Sequence, residues 1–124
     1  MLLKDFYSVE SLEKKDDKNY IVWIKLNKTH DIFKGHFPNN PVTPGVCMMQ
    51  IIKELSEDFT GQKLFMSVVS NVKFMALINP EIHSDLRLEI NLATDVDQAQ
   101  YKVKTTATYE QTVALKMSTT FKIV

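Results

Sequence analysis

From Leu86 to the C-terminus, apolar and polar positions alternate almost without a break. Leu86, Leu88, Ile90 and Leu92 alternate with Arg87, Glu89 and Asn91. Tyr101, Val103, Thr105, Ala107 and Tyr109 alternate with Lys102, Lys104, Thr106 and Thr108, and Val113, Leu115, Met117, Thr119, Phe121 and Ile123 continue the pattern. Successive side chains of a strand point to opposite faces, so each run predicts a strand with one buried and one polar face. That is the pattern of an antiparallel sheet. The short turns at Asp95-Val96-Asp97 and Glu110-Gln111 predict a meander. Upstream, Phe6 to Leu12 and Tyr20 to Leu26 flank the charged turn Lys14 to Asn19 and predict two more strands. Ser67 to Met75, largely apolar, predicts another.

One stretch follows a different period. From Gly45 to about Asp58 the apolar positions are Val46, Cys47, Met48, Met49, Ile51, Ile52 and Leu55, with Phe59 beyond. Gln50, Lys53, Glu54 and Glu57 share the narrow remaining stripe, so the pattern predicts a helix buried over most of its surface. Thr43 is the expected N-cap, Pro44 the first helical residue and Gly61 the stop. One long helix and five to six antiparallel strands predict an α+β fold with the helix on the buried face of the sheet. The other face and the edge strands then require cover, and dimerisation through sheet edges is the economical solution.

Composition narrows the function without naming it. Residues 1–124 suit a single domain with an ordinary core. Lys+Arg and Asp+Glu balance at 15 each, and Arg87 is the only arginine, so a nucleic-acid footprint or phosphate clamp is not expected. The lone Cys47 fits a reducing compartment. Charge arrives too early for a secretory leader, and no apolar run has membrane-spanning length, so the chain is expected to be cytoplasmic. In that setting the Asn27-Lys28-Thr29 sequon is an accident of spacing. His30, His36 and His83 lack ligand spacing, so no metal site is expected.

The chemistry concentrates in His36-Phe37-Pro38-Asn39-Asn40-Pro41-Val42-Thr43-Pro44-Gly45-Val46. Three prolines within seven positions stiffen a loop that carries an imidazole to a helix start. Imidazole titrates near neutrality and suits general acid–base work. The first N–H groups of a helix lack intrahelical acceptors, so those of Gly45 and Val46 can polarise a carbonyl. Gly45 would also let a ligand approach the backbone closely. Met48, Met49 and the run Phe74 to Ile78 are read chiefly as core, with an acyl-lining role as the alternative.

This run resembles the hotdog-fold β-hydroxyacyl-acyl-carrier-protein dehydratases of fatty-acid synthesis, with Phe33-Lys34-Gly35 as a similar lead-in. A second block, Asn71-Val72-Lys73-Phe74 with Pro80 six residues on, is similar to the strand after the helix in those enzymes. The resemblance implies removal of water from a 3-hydroxyacyl thioester carried by acyl carrier protein or coenzyme A. It implies a homodimer or dimer-based oligomer, no cofactor, and a site shared between subunits, the histidine from one and the helix residue from the other. His36 is then the base, and Phe37, Pro44, Gly45 and Val46 belong to the substrate-binding surface.

Four departures stand out. A short N-terminal segment of the family is missing, and Glu81-Ile82 replaces the usual Gly-Asp. Met75 and Ala76 stand where basic residues help the carrier dock. At the helix position of the catalytic carboxylate the chain has Gln50, and one turn later, where the family commonly has glutamine, it has Glu54. An amide cannot donate a proton at physiological pH. Gln50 and Glu54 are therefore joint candidates for assisting hydroxyl departure, Glu54 competing with a plain role on the solvated stripe. A thioesterase on the same fold and a non-catalytic acyl-binding subunit are the alternatives.

Overall fold

A computed structural model describes residues 5–34 and 41–124, so the candidates His36 and Phe37 lie outside the described residues. The elements are β1 (Tyr7–Lys14), β2 (Asn19–Leu26), a 3-10 turn (Asp31–Lys34), α1 (Gly45–Thr60), β3 (Leu64–Phe74), β4 (Asp85–Asp95), β5 (Gln100–Tyr109) and β6 (Thr112–Ile123). All six strands form one antiparallel sheet in the order β1-β2-β4-β5-β6-β3. The hairpin β1-β2 and the meander β4-β5-β6 follow from short local connections. The strand after the helix does not rejoin β2. It crosses to the far edge beside β6, and β4 returns to β2. The sheet thereby wraps around α1, the hotdog arrangement.

Register converts the period-two pattern into continuous rows across the sheet. Val22, Leu88, Ala107 and Leu115 are consecutive partners and are all buried. The next row, Tyr20, Ile90, Thr105 and Met117, continues the same face. Rows one residue out of step carry the polar set, such as Glu89, Thr106 and Lys116, with Ile21 as the β2 member of that row. The outer face is mainly polar, with Ile21 and the exposed Trp23 as apolar members. A register shift after Ala107 inserts the small, buried Ala114 into β6 without turning the core residues outward.

On α1 the buried residues are Cys47, Met48, Ile51, Ile52, Leu55 and Ser56. Two neighbouring rows spaced four apart make one stripe against the sheet. The helix is less enclosed than expected: Val46 and Asp58 are exposed, and Met49 and Phe59 are only partly buried. Buried Ser56 satisfies its hydroxyl by donating to the Ile52 carbonyl at 2.7 Å.

The helix start also differs from expectation. Pro44 is the N-cap, in extended geometry with ψ 143°, and no side chain caps the helix. Thr43 lies one residue outside; its backbone N–H donates to Ile78 O at 2.8 Å and its buried hydroxyl has no partner among the described residues. The stop is as expected. Gly61 takes φ +67° and donates its N–H to Glu57 O at 2.9 Å. The Glu57 carboxylate then accepts from the Leu64 N–H at 2.9 Å, steering the chain into β3. Among the described residues, no helix is long and apolar enough to cross a membrane.

Gly61 has open space around its missing Cβ, so only its positive φ resists a side chain. Gly61→Ala is expected to lower stability by about 1–2 kcal/mol through left-handed backbone strain alone, measured by urea denaturation with an unchanged m-value.

Candidate functional site

The N-terminus of α1 opens into a cleft. The Pro44 carbonyl accepts the Cys47 and Met48 N–H groups at 3.0 and 3.3 Å. The N–H groups of Gly45 and Val46 find no acceptor among the described residues, as the geometry of a helix start requires. Gly45 borders a cleft of about 420 Å³ walled by residues 42–45 and Met48 on the helix side and by residues 74–78 on the other. Phe74, Met75 and Leu77 are exposed at its mouth, whereas Met48 and Ile78 are buried at its base. Val46 does not border the cleft, and its side chain is exposed. The run from Phe74 to Ile78, read mainly as core, is therefore largely cleft wall.

Gly45 also has a close neighbour. A Cβ built on it would lie 2.5 Å from Cζ of Phe74, so that ring occupies the space beside the bare Cα. The close approach expected of a ligand is made here by an aromatic ring that is itself more than half exposed.

Gln50 and Glu54 lie elsewhere on the helix. Five residues beyond Gly45 corresponds to a rotation of about 140°, so the Gln50 side and the Gly45 side of one helix cannot meet the same small group. The structure brings Gln50 and Glu54 together instead: Gln50 Nε2 donates to Glu54 Oε2 at 3.1 Å. The other carboxylate oxygen accepts from the Tyr7 hydroxyl on β1 at 3.0 Å. Burial, and then the Glu54 charge, hold the Tyr7 hydroxyl above its ordinary range, so it stays protonated and donating. Lys53 pairs loosely with Glu57 at 4.0 Å, and Glu54 is thereby distinguished from the rest of the polar stripe.

Sequence reasoning missed Tyr7. Its position opposite Leu26, on the inward face of β1, is a usable signal, because an inward tyrosine needs a partner for its hydroxyl.

The remaining candidates have local roles. His30 Nδ1 accepts from the Ile32 N–H at 3.1 Å and packs edge-on to Phe6. His83 stacks on Tyr109 at 4.1 Å and lies 3.6 Å from Glu110. Cys47 is buried, and burial pushes its thiol up, away from the reactive thiolate. A larger depression of about 590 Å³ between β1, β2 and the loop before β4 is lined by Asp5, Lys25, Lys28 and Glu81 among others, and has no helix terminus aimed at it.

Comparison with known proteins settles the family. Residues 12–116 match the ApeI-like family, described as the ApeI dehydratase. The chain belongs to that family. It is 28% identical to the 3-hydroxyacyl-[acyl-carrier-protein] dehydratase FabZ of Lactobacillus helveticus over 131 aligned positions, covering 97% of this chain and 86% of that protein. It is 29% identical to the protein of the same name from Bacillus cereus, covering 90% and 81%. Among solved structures it is similar to the dehydratase heterocomplex ApeI:P of Xenorhabdus doucetiae, with a TM-score of 0.77 at 22% identity, covering 93% of this chain and 96% of that one. A hypothetical thioesterase of Streptococcus pneumoniae, solved with coenzyme A, shares the fold at a TM-score of 0.65 and 11% identity, covering 95% and 85%. The ApeI-like assignment gives a dehydratase-like protein on a hotdog scaffold, in agreement with the resemblance read from the His36–Val46 run.

The contact between Gly45 and Phe74 makes a quantitative prediction. Gly45→Ala is expected to turn the half-exposed Phe74 ring aside, at the low end of overpacking costs, about 1 kcal/mol. In a Phe74→Ala background the same change should cost much less; denaturation of the four proteins measures the coupling.

Proposed function

We propose that the chain removes water from a 3-hydroxyacyl thioester to give the trans-2-enoyl thioester. The observation that carries this reading is the unpaired Gly45 amide at the head of α1, opening on an apolar-mouthed cleft of about 420 Å³. A thioester carbonyl placed on that amide gains stabilisation as C2 loses its proton and negative charge builds on oxygen, an effect worth about 3 kcal/mol per donor. Val46 offers a second N–H beside it, and Pro44 and Phe37 flank the acyl group. His36 is the base that takes the C2 proton.

The departing hydroxyl needs a proton, and Gln50 cannot give one. Both Glu54 oxygens are already engaged, one by the Tyr7 hydroxyl and one by the Gln50 amide, so neither is turned to the leaving group. The source is then the imidazolium formed in the first step. The C2–H bond breaks toward His36, the C3–O bond breaks as the double bond forms, and the same proton leaves with the hydroxyl as water. Gln50 and Glu54 orient that hydroxyl.

The rotation between Gly45 and Gln50 supports a site completed by a second copy. β3 is an edge strand whose Phe65, Val68 and Val69 are exposed. An apolar edge of this kind is ordinarily covered. A homodimer paired along β3 buries it and brings one copy's helix flank toward the other's cleft. The substrate would ride on acyl carrier protein or coenzyme A, in the cytoplasm, with residues 1–124 acting as one domain and with no metal or organic cofactor.

Purified protein given a 3-hydroxyacyl thioester should produce enoyl absorbance without free thiol, and His36→Ala should lower the rate by at least about a hundredfold. Free thiol release would establish the thioesterase alternative instead. Binding with neither product would establish the acyl-binding subunit, which the loss of the acidic side chain at Gln50 favours.

The association is tested separately. Sedimentation should show a dimer at micromolar concentration, and Phe65→Lys with Val68→Lys should weaken it by about tenfold or more, since edge charges oppose pairing. A monomeric parent protein removes the shared-site arrangement.

A further inference from the structure

We infer that Tyr7 is a positioning residue for the substrate hydroxyl: through Glu54 it fixes the Gln50 side-chain amide with its carbonyl oxygen free to accept from the 3-hydroxyl group. The inference rests on the dehydratase reading and deepens it.

The chain of contacts is short and directional. A carboxylate only accepts, so the side of the Gln50 amide that faces Glu54 has to be the NH₂, as the 3.1 Å contact from Nε2 shows. That choice leaves Oε1 turned away from Glu54, and it makes no hydrogen bond among the described residues. Glu54 in turn is tied to the sheet by the Tyr7 hydroxyl at 3.0 Å, across 47 residues of sequence. That tie restrains the Glu54 rotamer, and with it the amide that the carboxylate orients.

The role follows from what each group can supply. The Tyr7 hydroxyl hydrogen is committed to Glu54 at 3.0 Å, and burial and the Glu54 charge keep it on the tyrosine. It is therefore a fixed donor, and it does not itself touch the reacting atoms. When Gln50 Oε1 accepts the hydrogen of the 3-hydroxyl, the lone pairs on that oxygen are directed elsewhere, open to the proton that departs with it. The same acceptor discriminates between ligands. A 3-hydroxyacyl thioester satisfies it, and a saturated acyl thioester leaves it desolvated and unpaired, a penalty that favours the hydroxylated ligand.

The test uses the full chain, with a medium-chain 3-hydroxyacyl thioester of N-acetylcysteamine and its saturated counterpart. Tyr7→Phe is expected to lower kcat about tenfold and to bring the ratio of the two affinities toward one, with the affinity for the saturated ligand unchanged. In a Gln50→Ala background Tyr7→Phe should have no further effect on either quantity. An equal loss in both backgrounds marks a merely structural tyrosine and overturns the assignment. Unchanged kcat and an unchanged affinity ratio in Tyr7→Phe overturn it too. If the parent protein forms no enoyl product, the dehydratase reading fails, and the affinity ratio alone still decides Tyr7. Should Tyr7→Phe fold poorly by circular dichroism, Glu54→Gln provides the second route. A neutral amide can present either end to Gln50, so the same fall in the affinity ratio is expected, and its persistence at the parent value counts against Tyr7.

Discussion

The burial of one stripe of α1 against the sheet fixes everything that the helix presents elsewhere. Met48, Ile51, Ile52 and Leu55 are almost completely withdrawn from water, and each is worth about 1.5–3 kcal/mol relative to exposure. Turning the helix by one residue, roughly 100°, would forfeit most of that stripe. The rotation is therefore locked by packing, and the polar groups inherit their directions from it. Gly45 meets the cleft because Met48 is anchored below it, and Glu54 meets β1 because Leu55 and Ile51 face the sheet.

Strand β3 joins the two ends of the functional proposal. Its free edge carries exposed apolar side chains, and its last residue, Phe74, lies against Gly45 at the cleft. The same strand thus carries both the apolar edge and one wall of the cleft. The polar outer face of the sheet reinforces this division. Lys102, Lys104, Lys116 and Lys122 are exposed, so the back of β5 and β6 is charged while the β3 edge is apolar.

The exchange of Gln50 and Glu54 relative to the resembled dehydratases is coherent as a pair. An amide and a carboxylate one turn apart on a helix hydrogen-bond to each other in either order. Placing the carboxylate at position 54 moves it within reach of the Tyr7 hydroxyl, which an amide there would hold less strongly. The cost is the acid itself, because the amide at position 50 has no proton to give. A dehydration that recycles the proton removed from C2 is the chemistry that tolerates this exchange.

The six strands, the helix and its stop were legible because they are written in local periods: two for Leu86 to Ile123, the buried stripe for Met48 to Leu55, and a glycine at Gly61. The His36–Val46 run was legible as a motif, and Gly45 with its unpaired amide followed from the geometry of any helix start. Thr43 was misjudged as a cap because capping depends on one residue of backbone phase, and the extended Pro44 took the position. The placement of β3 at the far edge, the ring of Phe74 against Gly45, and the hydroxyl of Tyr7 on Glu54 were not legible. Each joins segments distant in sequence, and periodicity specifies which face a residue occupies without specifying what lies across from it. The sequence by itself determined the elements, their buried faces and the chemistry available to them. The tertiary structure alone decided which groups meet, because the rotation of α1 and the order of the strands are set by packing over the whole sheet.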